Sequence, residues 1–148
     1  MVNSIIYVYS YYGLSTLKVA NAIATKIGAS VIDINNNAES PKLDNYDLIG
    51  FGAGIAGGKH YSQMLKFAEN LPNVKNKKTF IFSTSRNGGK KMINDHKALK
   101  DILLNKGFVV VDEFSCKGFV CFVYNKNRPN NEDIKNAEIF VEKLINNK

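Results

Sequence analysis

Tryptophan is absent from this 148-residue chain, and cysteine, histidine and arginine are scarce. Cys116 and Cys121 are the only thiols, and their C-x4-C spacing is neither the redox nor the zinc C-x-x-C. His60 and His96 are the only imidazoles, so no metal centre is expected. No stretch approaches membrane-spanning length. No basic region, long apolar segment or small-residue cleavage site precedes the first apolar run, and the expectation is a soluble cytoplasmic protein. Internal repeats and low-complexity segments are also missing. Acids are in deficit, and unevenly: residues 1–74 carry 5 lysines against 5 acids, residues 75–148 carry 15 cations against 8 acids. A basic half can mark a nucleic-acid partner. None is expected here, because no recognised module or basic–aromatic platform is present and the chain is rich in Lys, Asn and Ile throughout.

What is present is an alternation of short buried runs with amphipathic stretches. Ile5 to Tyr9 is β-branched and aromatic, meets Gly13, and gives way to Leu17, Ala20, Ile23, Ala24 and Ile27 at helical spacing. This predicts a strand, a tight loop and a helix, with Ser15 as N-cap and Gly28 as terminator. Residues 30–34 predict a short strand, and 35–45, with Pro41, a loop holding at most one irregular turn. Asp47–Phe51 and Thr79–Phe82 read as strands buried on both faces, emptying into the loops 52–58 and 83–89. Four glycines in residues 52–58 require either positive φ angles or the close approach of something flat or charged. Helices are predicted around Met64–Leu71, stopped by Pro72, and around Met92–Leu103, closed by Gly107. Phe108–Val111 starts a strand leading to Ser115–Phe119. After Pro129 a last helix places Glu132 and Asp133 in its first turn and Ile134, Ala137, Val141 and Leu144 on its inner stripe.

Such alternation implies one α/β domain over residues 1–148, an open parallel five-stranded sheet with helices on both faces, and the order expected for it is 2-1-3-4-5. Ligands of such sheets bind at the carboxyl ends of the strands. The switch point lies between the first and third strands, where the loops at Ser10 and Gly54 meet, with Ser83 and Ser115 alongside. The first loop turns backbone N–H groups and the positive end of a helix toward one point, and Ser10, Ser15 and Thr16 add hydroxyl donors, which suits a phosphate. It has no lysine, so it is not the nucleoside triphosphate loop G-x-x-x-x-G-K-[ST], and it lacks G-x-G-x-x-G. Four loops converging on one crevice favour a planar ligand bearing a phosphate.

Ser10-Tyr-Tyr-Gly-Leu-Ser15 resembles the flavodoxin phosphate loop, [ST]-x-T-G-x-[ST], with Tyr12 at the middle threonine. Gly54-Ile-Ala-Gly-Gly-Lys-His60, Phe80-Ile-Phe-Ser-Thr-Ser85, His96-Lys-Ala-Leu99, Glu113-Phe-Ser-Cys-Lys-Gly-Phe119 and Pro129-Asn-Asn-Glu-Asp-Ile134 are similar to segments of bacterial flavodoxin-family proteins, along nearly the whole chain. The resemblance implies a flavodoxin-like fold and non-covalently held FMN. Ser10, Tyr11, Tyr12, Gly13, Leu14, Ser15 and Thr16 would surround the phosphate. Ala53, Gly54, Ile55, Ala56, Gly57, Gly58, Lys59 and His60, with Ser83, Thr84, Ser85, Arg86, Asn87 and Gly88, would flank the isoalloxazine. Relatives often carry aromatic residues where this chain has Ala56 and Gly57, so Tyr11, Tyr12, Tyr61 and Phe119 are the stacking groups at hand.

The implied function is electron transfer to a redox partner protein or a small-molecule acceptor, with the flavin carrying the electrons and no catalytic side chain. One alternative is an FMN-dependent oxidoreductase of quinones or porphyrin precursors, using space beside Ala56 and Gly57. A second is an interaction module of the same fold that has lost FMN. A phosphoacceptor receiver needs an aspartate where Gly52 stands. His60 either hydrogen-bonds a ligand or is exposed, His96 is structural, and Cys116 is a redox thiol or core packing. Arg86, Lys90 and Lys91 set the charge near the cofactor or form a solvated turn.

Overall fold

A computed structural model describes residues 2–11, 14–36, 42–119, 125 and 127–147. Strands β1 (Ser4–Tyr9), β2 (Ser30–Asp33), β3 (Leu48–Ala56), β5 (Lys77–Ser85) and β6 (Phe108–Lys117) form a parallel sheet in the order β2-β1-β3-β5-β6. Strand β4 (Lys59–His60) folds back antiparallel onto β3. With that short hairpin strand set aside, the order is the expected 2-1-3-4-5.

Every residue of β1 is buried, because helices cover both faces. Its alternation sends Ile6 and Val8 toward α1 (Ser15–Ile27) and α4 (Asn131–Asn146), where they pack with Val19, Ile23, Ala137 and Val141. Ile5, Tyr7 and Tyr9 face α2 (Ser62–Glu69) and α3 (Met92–Asn105), among Met64, Leu99 and Leu103. Each such aliphatic side chain contributes about 1.5–3 kcal/mol by leaving water.

Two of the predicted loops are shorter than expected. Strand β3 runs on through Gly52 to Ala56, and β5 through Ser83 to Ser85, past the ends of their apolar runs. The glycines of β3 fall opposite large rings. Gly50 pairs in register with Phe80 and Gly52 with Phe82, and a Cβ at either glycine would lie 2.3 Å from the facing ring. The flat groups approaching this backbone are therefore the protein's own phenylalanines. Of the four glycines in residues 52–58 only Gly57 and Gly58 supply positive φ, 64° and 77°, closing the two-residue β3–β4 hairpin in the geometry such turns favour.

Helix ends also correct the expected caps. Gly28 terminates α1 in the left-handed conformation (φ 69°) as expected. Ser15, however, is the first helical residue, and Leu14, itself left-handed at φ 55°, occupies the cap position with no side-chain bond. Helix α4 is capped by Asn130, whose side chain accepts from the Asp133 N–H while Asp133 accepts from the Asn130 N–H, a reciprocal capping box. Between β2 and β3 the described residues hold only single turns, at Ile34–Asn36 and Leu43–Asn45. Among the described residues no helix is long and apolar enough to cross a membrane.

Candidate functional site

At the carboxyl ends of β1, β3, β5 and β6 lies a cleft of ≈ 390 Å³ lined by Tyr11, Ser15, Thr16, Gly54, Ile55, Tyr61, Thr84, Ser85, Arg86, Gly118 and Phe119. A larger cleft, ≈ 500 Å³, lies at the opposite end of the sheet among Val2, Leu48, Lys75, Lys78 and Leu144. The smaller one sits at the topological switch point, where open parallel sheets take their ligands, and chemistry is argued there.

Its walls are tied together by hydroxyls. Thr16 Oγ1 on α1 and Thr84 Oγ1 on β5 lie 2.8 Å apart. The Phe119 N–H donates to Ser15 Oγ at 2.9 Å, and the Gly118 N–H to the Ser85 carbonyl at 3.0 Å. A Cβ on Gly118 would lie 2.9 Å from Thr84 Cβ and 3.1 Å from Ser15 Cβ, so only glycine lets the segment after β6 close against α1 and β5. Ser15 Oγ accepts in this arrangement, and its own hydrogen has no protein acceptor among the described residues.

The electrostatics favour an anion. The start of α1 faces the cleft with no acidic residue in its first turn, and among the described residues the lining holds one that is charged, Arg86. Tyr11, Tyr61 and Phe119 supply flat apolar surface. Tyr61 stands edge-on to Tyr11, with centroids 6.1 Å apart, and to Tyr9 at 5.8 Å. Burial, then Tyr9 and Tyr11, raises the Tyr61 phenol above its usual value, so it is a neutral donor at physiological pH. A phosphate-bearing planar group fits this donor set.

Of the residues singled out from sequence, Tyr11, Ser15, Thr16, Gly54, Ile55, Thr84, Ser85 and Arg86 line the cleft. Tyr12 and Gly13 lie outside the described residues. Ser10 is buried and its Oγ accepts the Leu17 N–H at 3.2 Å, serving the helix start. Leu14 is exposed at the cleft's edge of α1. Ala53 is core, Ala56, Gly57, Gly58 and Lys59 are the exposed hairpin, and Asn87 and Gly88 belong to the turn after β5. Gly118 was not foreseen; the Lys-Gly-Phe break ending β6 is the signal that marks it.

Ser83 and His60 are turned away from the cleft. Period-two alternation on β5 sends Thr84 toward α1 and Ser83 toward α3, where Ser83 Oγ lies 2.7 Å from His96 Nε2 and donates to Ser115 Oγ at 2.9 Å. His96 Nδ1 lies 3.0 Å from Glu113, which also takes Lys100 at 2.9 Å. His60 is fully buried, not exposed, with its ring 4.9 Å from that of His96 and its Nε2 3.1 Å from the Phe82 carbonyl. Ser83 and His96 are completely buried too and only the Glu113 end of the row is partly exposed, so the serine and histidine of this row form a structural polar cluster turned away from the cleft. Cys116 packs in the apolar cluster under α1 and α4, and burial, then Asp133, pushes its thiol up to about 12.

Fold and site together define a flavodoxin-like α/β protein with an open cleft at the β1–β3 crevice. Residues 5–117 match the family described as Flavodoxin domain, and the chain belongs to the flavodoxin family. An uncharacterized protein of Methanocaldococcus jannaschii is 40% identical over 146 residues, covering 93% of this chain and 95% of that protein. Among solved structures, oxidised flavodoxin 1 of Bacillus cereus superposes with a TM-score of 0.70 at 19% identity, covering 97% of this chain and 98% of that one. A Fusobacterium nucleatum flavodoxin bound to flavin mononucleotide superposes with a TM-score of 0.67 at 14% identity, with 97% and 98% covered.

Proposed function

We propose that this protein binds FMN non-covalently in the cleft and serves as an electron-transfer flavoprotein. The observation that carries the reading is the meeting, at one switch-point crevice, of an α1 start free of acidic residues, the Ser15–Thr16–Thr84 hydroxyl cluster and the Tyr11–Tyr61–Phe119 aromatic surface. The first two would hold the phosphate, with the Ser15 hydroxyl donating and Arg86 adding positive charge; the aromatics would flank the ring. FMN, when bound, supplies reversible electron uptake that no side chain of this chain provides. The protein's part is to orient the ring, shield one face from water and set the local charge.

Titration of the purified protein with FMN and with riboflavin, followed by flavin fluorescence, tests this. FMN is expected to bind at least about tenfold more tightly, since riboflavin has no phosphate for the helix start. Equal affinities, or no uptake of FMN, would overturn the reading, and no uptake would favour an interaction module without flavin. The bare Gly57-Gly58 tip next to exposed Ala56 favours a second reading, an FMN-dependent oxidoreductase with substrate space at the cleft's edge. Steady turnover of NADH or NADPH with a quinone would establish that enzyme.

A further inference from the structure

We infer that the rim of the cleft is a docking surface for a partner protein whose contact face is acidic around an apolar centre. The described residues that follow the carboxyl ends of the strands are 10, 11 and 14, then 34–36, 57–61, 86–91, 118, 119, 125 and 127–130. They include Lys59, Arg86, Lys90, Lys91 and Arg128, and neither Asp nor Glu. Lys117 closes β6 beside them. Among the described residues the acids bordering the region are Asp33, which accepts the Asn35 N–H, buried Asp95 in the first turn of α3, Asp133, which holds Arg128 through two bonds, and exposed Glu132. Lys59, Lys90 and Lys91 are exposed, and among the described residues none has an ion-pair partner. Positive charge without an ion-pair partner among the described residues thus comes from two separate loops, the β3–β4 hairpin and the turn after β5, at the cleft end of the sheet.

At the edge of the cleft, Tyr11 is 61% and Leu14 52% exposed. Leu14 also holds a left-handed backbone, φ 55°, which leucine adopts at a cost and asparagine tolerates. A large apolar side chain held on a strained backbone with half its surface in water contributes less to the free protein than a buried one. Beneath a partner it becomes the apolar centre of an interface whose rim is charged, the usual anatomy of such contacts. A nucleic acid is less well matched. Its phosphates run along a continuous stripe of cations, whereas the exposed lysines here stand on two separate loops, and Leu14 beside Tyr11 offers only methyl groups.

The charge pattern belongs to the loops and not to any ligand they hold, so binding is measured on the full-length protein with and without added FMN. The probe is a fluorescein-labelled peptide in which runs of Asp and Glu flank a central Leu-Phe pair, followed by anisotropy at low salt. Lys59→Ala/Lys90→Ala/Lys91→Ala is expected to weaken binding about tenfold or more. Lys75→Ala/Lys78→Ala/Lys106→Ala removes the same charge at the opposite end of the sheet and should change it less than about twofold. Leu14→Asn is expected to weaken binding about threefold or more while raising the thermal midpoint, a combination that a merely structural leucine cannot produce. The inference is overturned if the two lysine triples act alike, if Leu14→Asn binds as the parent does, or if an oligothymidylate of equal net charge binds as tightly as the peptide. Failure to take up FMN with docking retained would count against the flavin reading alone.

Discussion

Replacing His60 with glutamine is expected to flatten the acid side of the protein's stability profile. His60 Nε2 lies 3.1 Å from the Phe82 carbonyl, which only accepts, so Nε2 carries the proton and buried Nδ1, without any partner, presents a bare lone pair. A second proton would put an unsatisfied N–H and a cation in the core, against the His96 ring 4.9 Å away. Burial first, then His96, pushes the imidazole down from 6.5 to about 3, against the upward pull of the Phe82 carbonyl. The unfolded chain therefore takes up this proton near pH 6.5 and the native chain only near pH 3. Between those values the unfolded state holds more protons, and stability falls as pH falls; above pH 6.5 the group adds no pH dependence. Each unit inside the window costs about 1.4 kcal/mol, so about 2 kcal/mol is lost between pH 8 and pH 5 through His60 alone. His96, lowered by its burial despite the opposing pull of Glu113, adds loss of the same sign. Glutamine keeps a donor for the Phe82 carbonyl and does not titrate. Urea unfolding at the two pH values should show His60→Gln losing about 2 kcal/mol less than the parent, whatever its stability at pH 8. Equal losses would refute the argument that a neutral, buried His60 governs this limb.

Gly52→Ala should destabilise by about 1–3 kcal/mol in urea, because its Cβ meets three atoms of the fully buried Phe82 ring within 2.5 Å, and adding Phe82→Leu should recover part of the loss. No recovery in the double variant would place the strain elsewhere. Cys116, with its thiol held up to about 12, should resist iodoacetamide at pH 8 in the native protein and react after unfolding, as peptide mapping would show; rapid native labelling would contradict its burial. For the FMN-loaded protein, neutralising Arg86, Lys90 and Lys91 together should lower the midpoint potential by tens of millivolts at low ionic strength and less at high salt: two unit charges about 7 Å apart at an effective dielectric near 20 interact by roughly 2 kcal/mol before salt and side-chain motion reduce it, and about 1.4 kcal/mol is roughly 30 mV for a two-electron couple. An unchanged potential at low salt would reduce the basic turn to a solvated surface.

Much of this protein is legible from local pattern. The apolar runs at Ile5–Tyr9 and Thr79–Phe82, the helical spacing after Ser15 and the left-handed glycine at Gly28 depend on near neighbours in the chain, so the sequence alone placed the elements, their order and the end of the sheet where the crevice forms. What it could not place depends on residues far apart. Gly50 and Gly52 face Phe80 and Phe82 only because two strands pair in one register across thirty residues, and a glycine carries no mark of the ring that will cover it. Ser83 and Thr84 are adjacent and chemically alike; the pleat of β5 directs one into the buried histidine cluster and the other to the cleft. His60, open in sequence to either ligand contact or exposure, is neither, because the Gly57-Gly58 hairpin folds it inward onto the Phe82 carbonyl of β5. Ser15, a cap by local rule, instead receives the Phe119 N–H from 104 residues away, and that contact, available only once β6 lies in the sheet, closes the cleft.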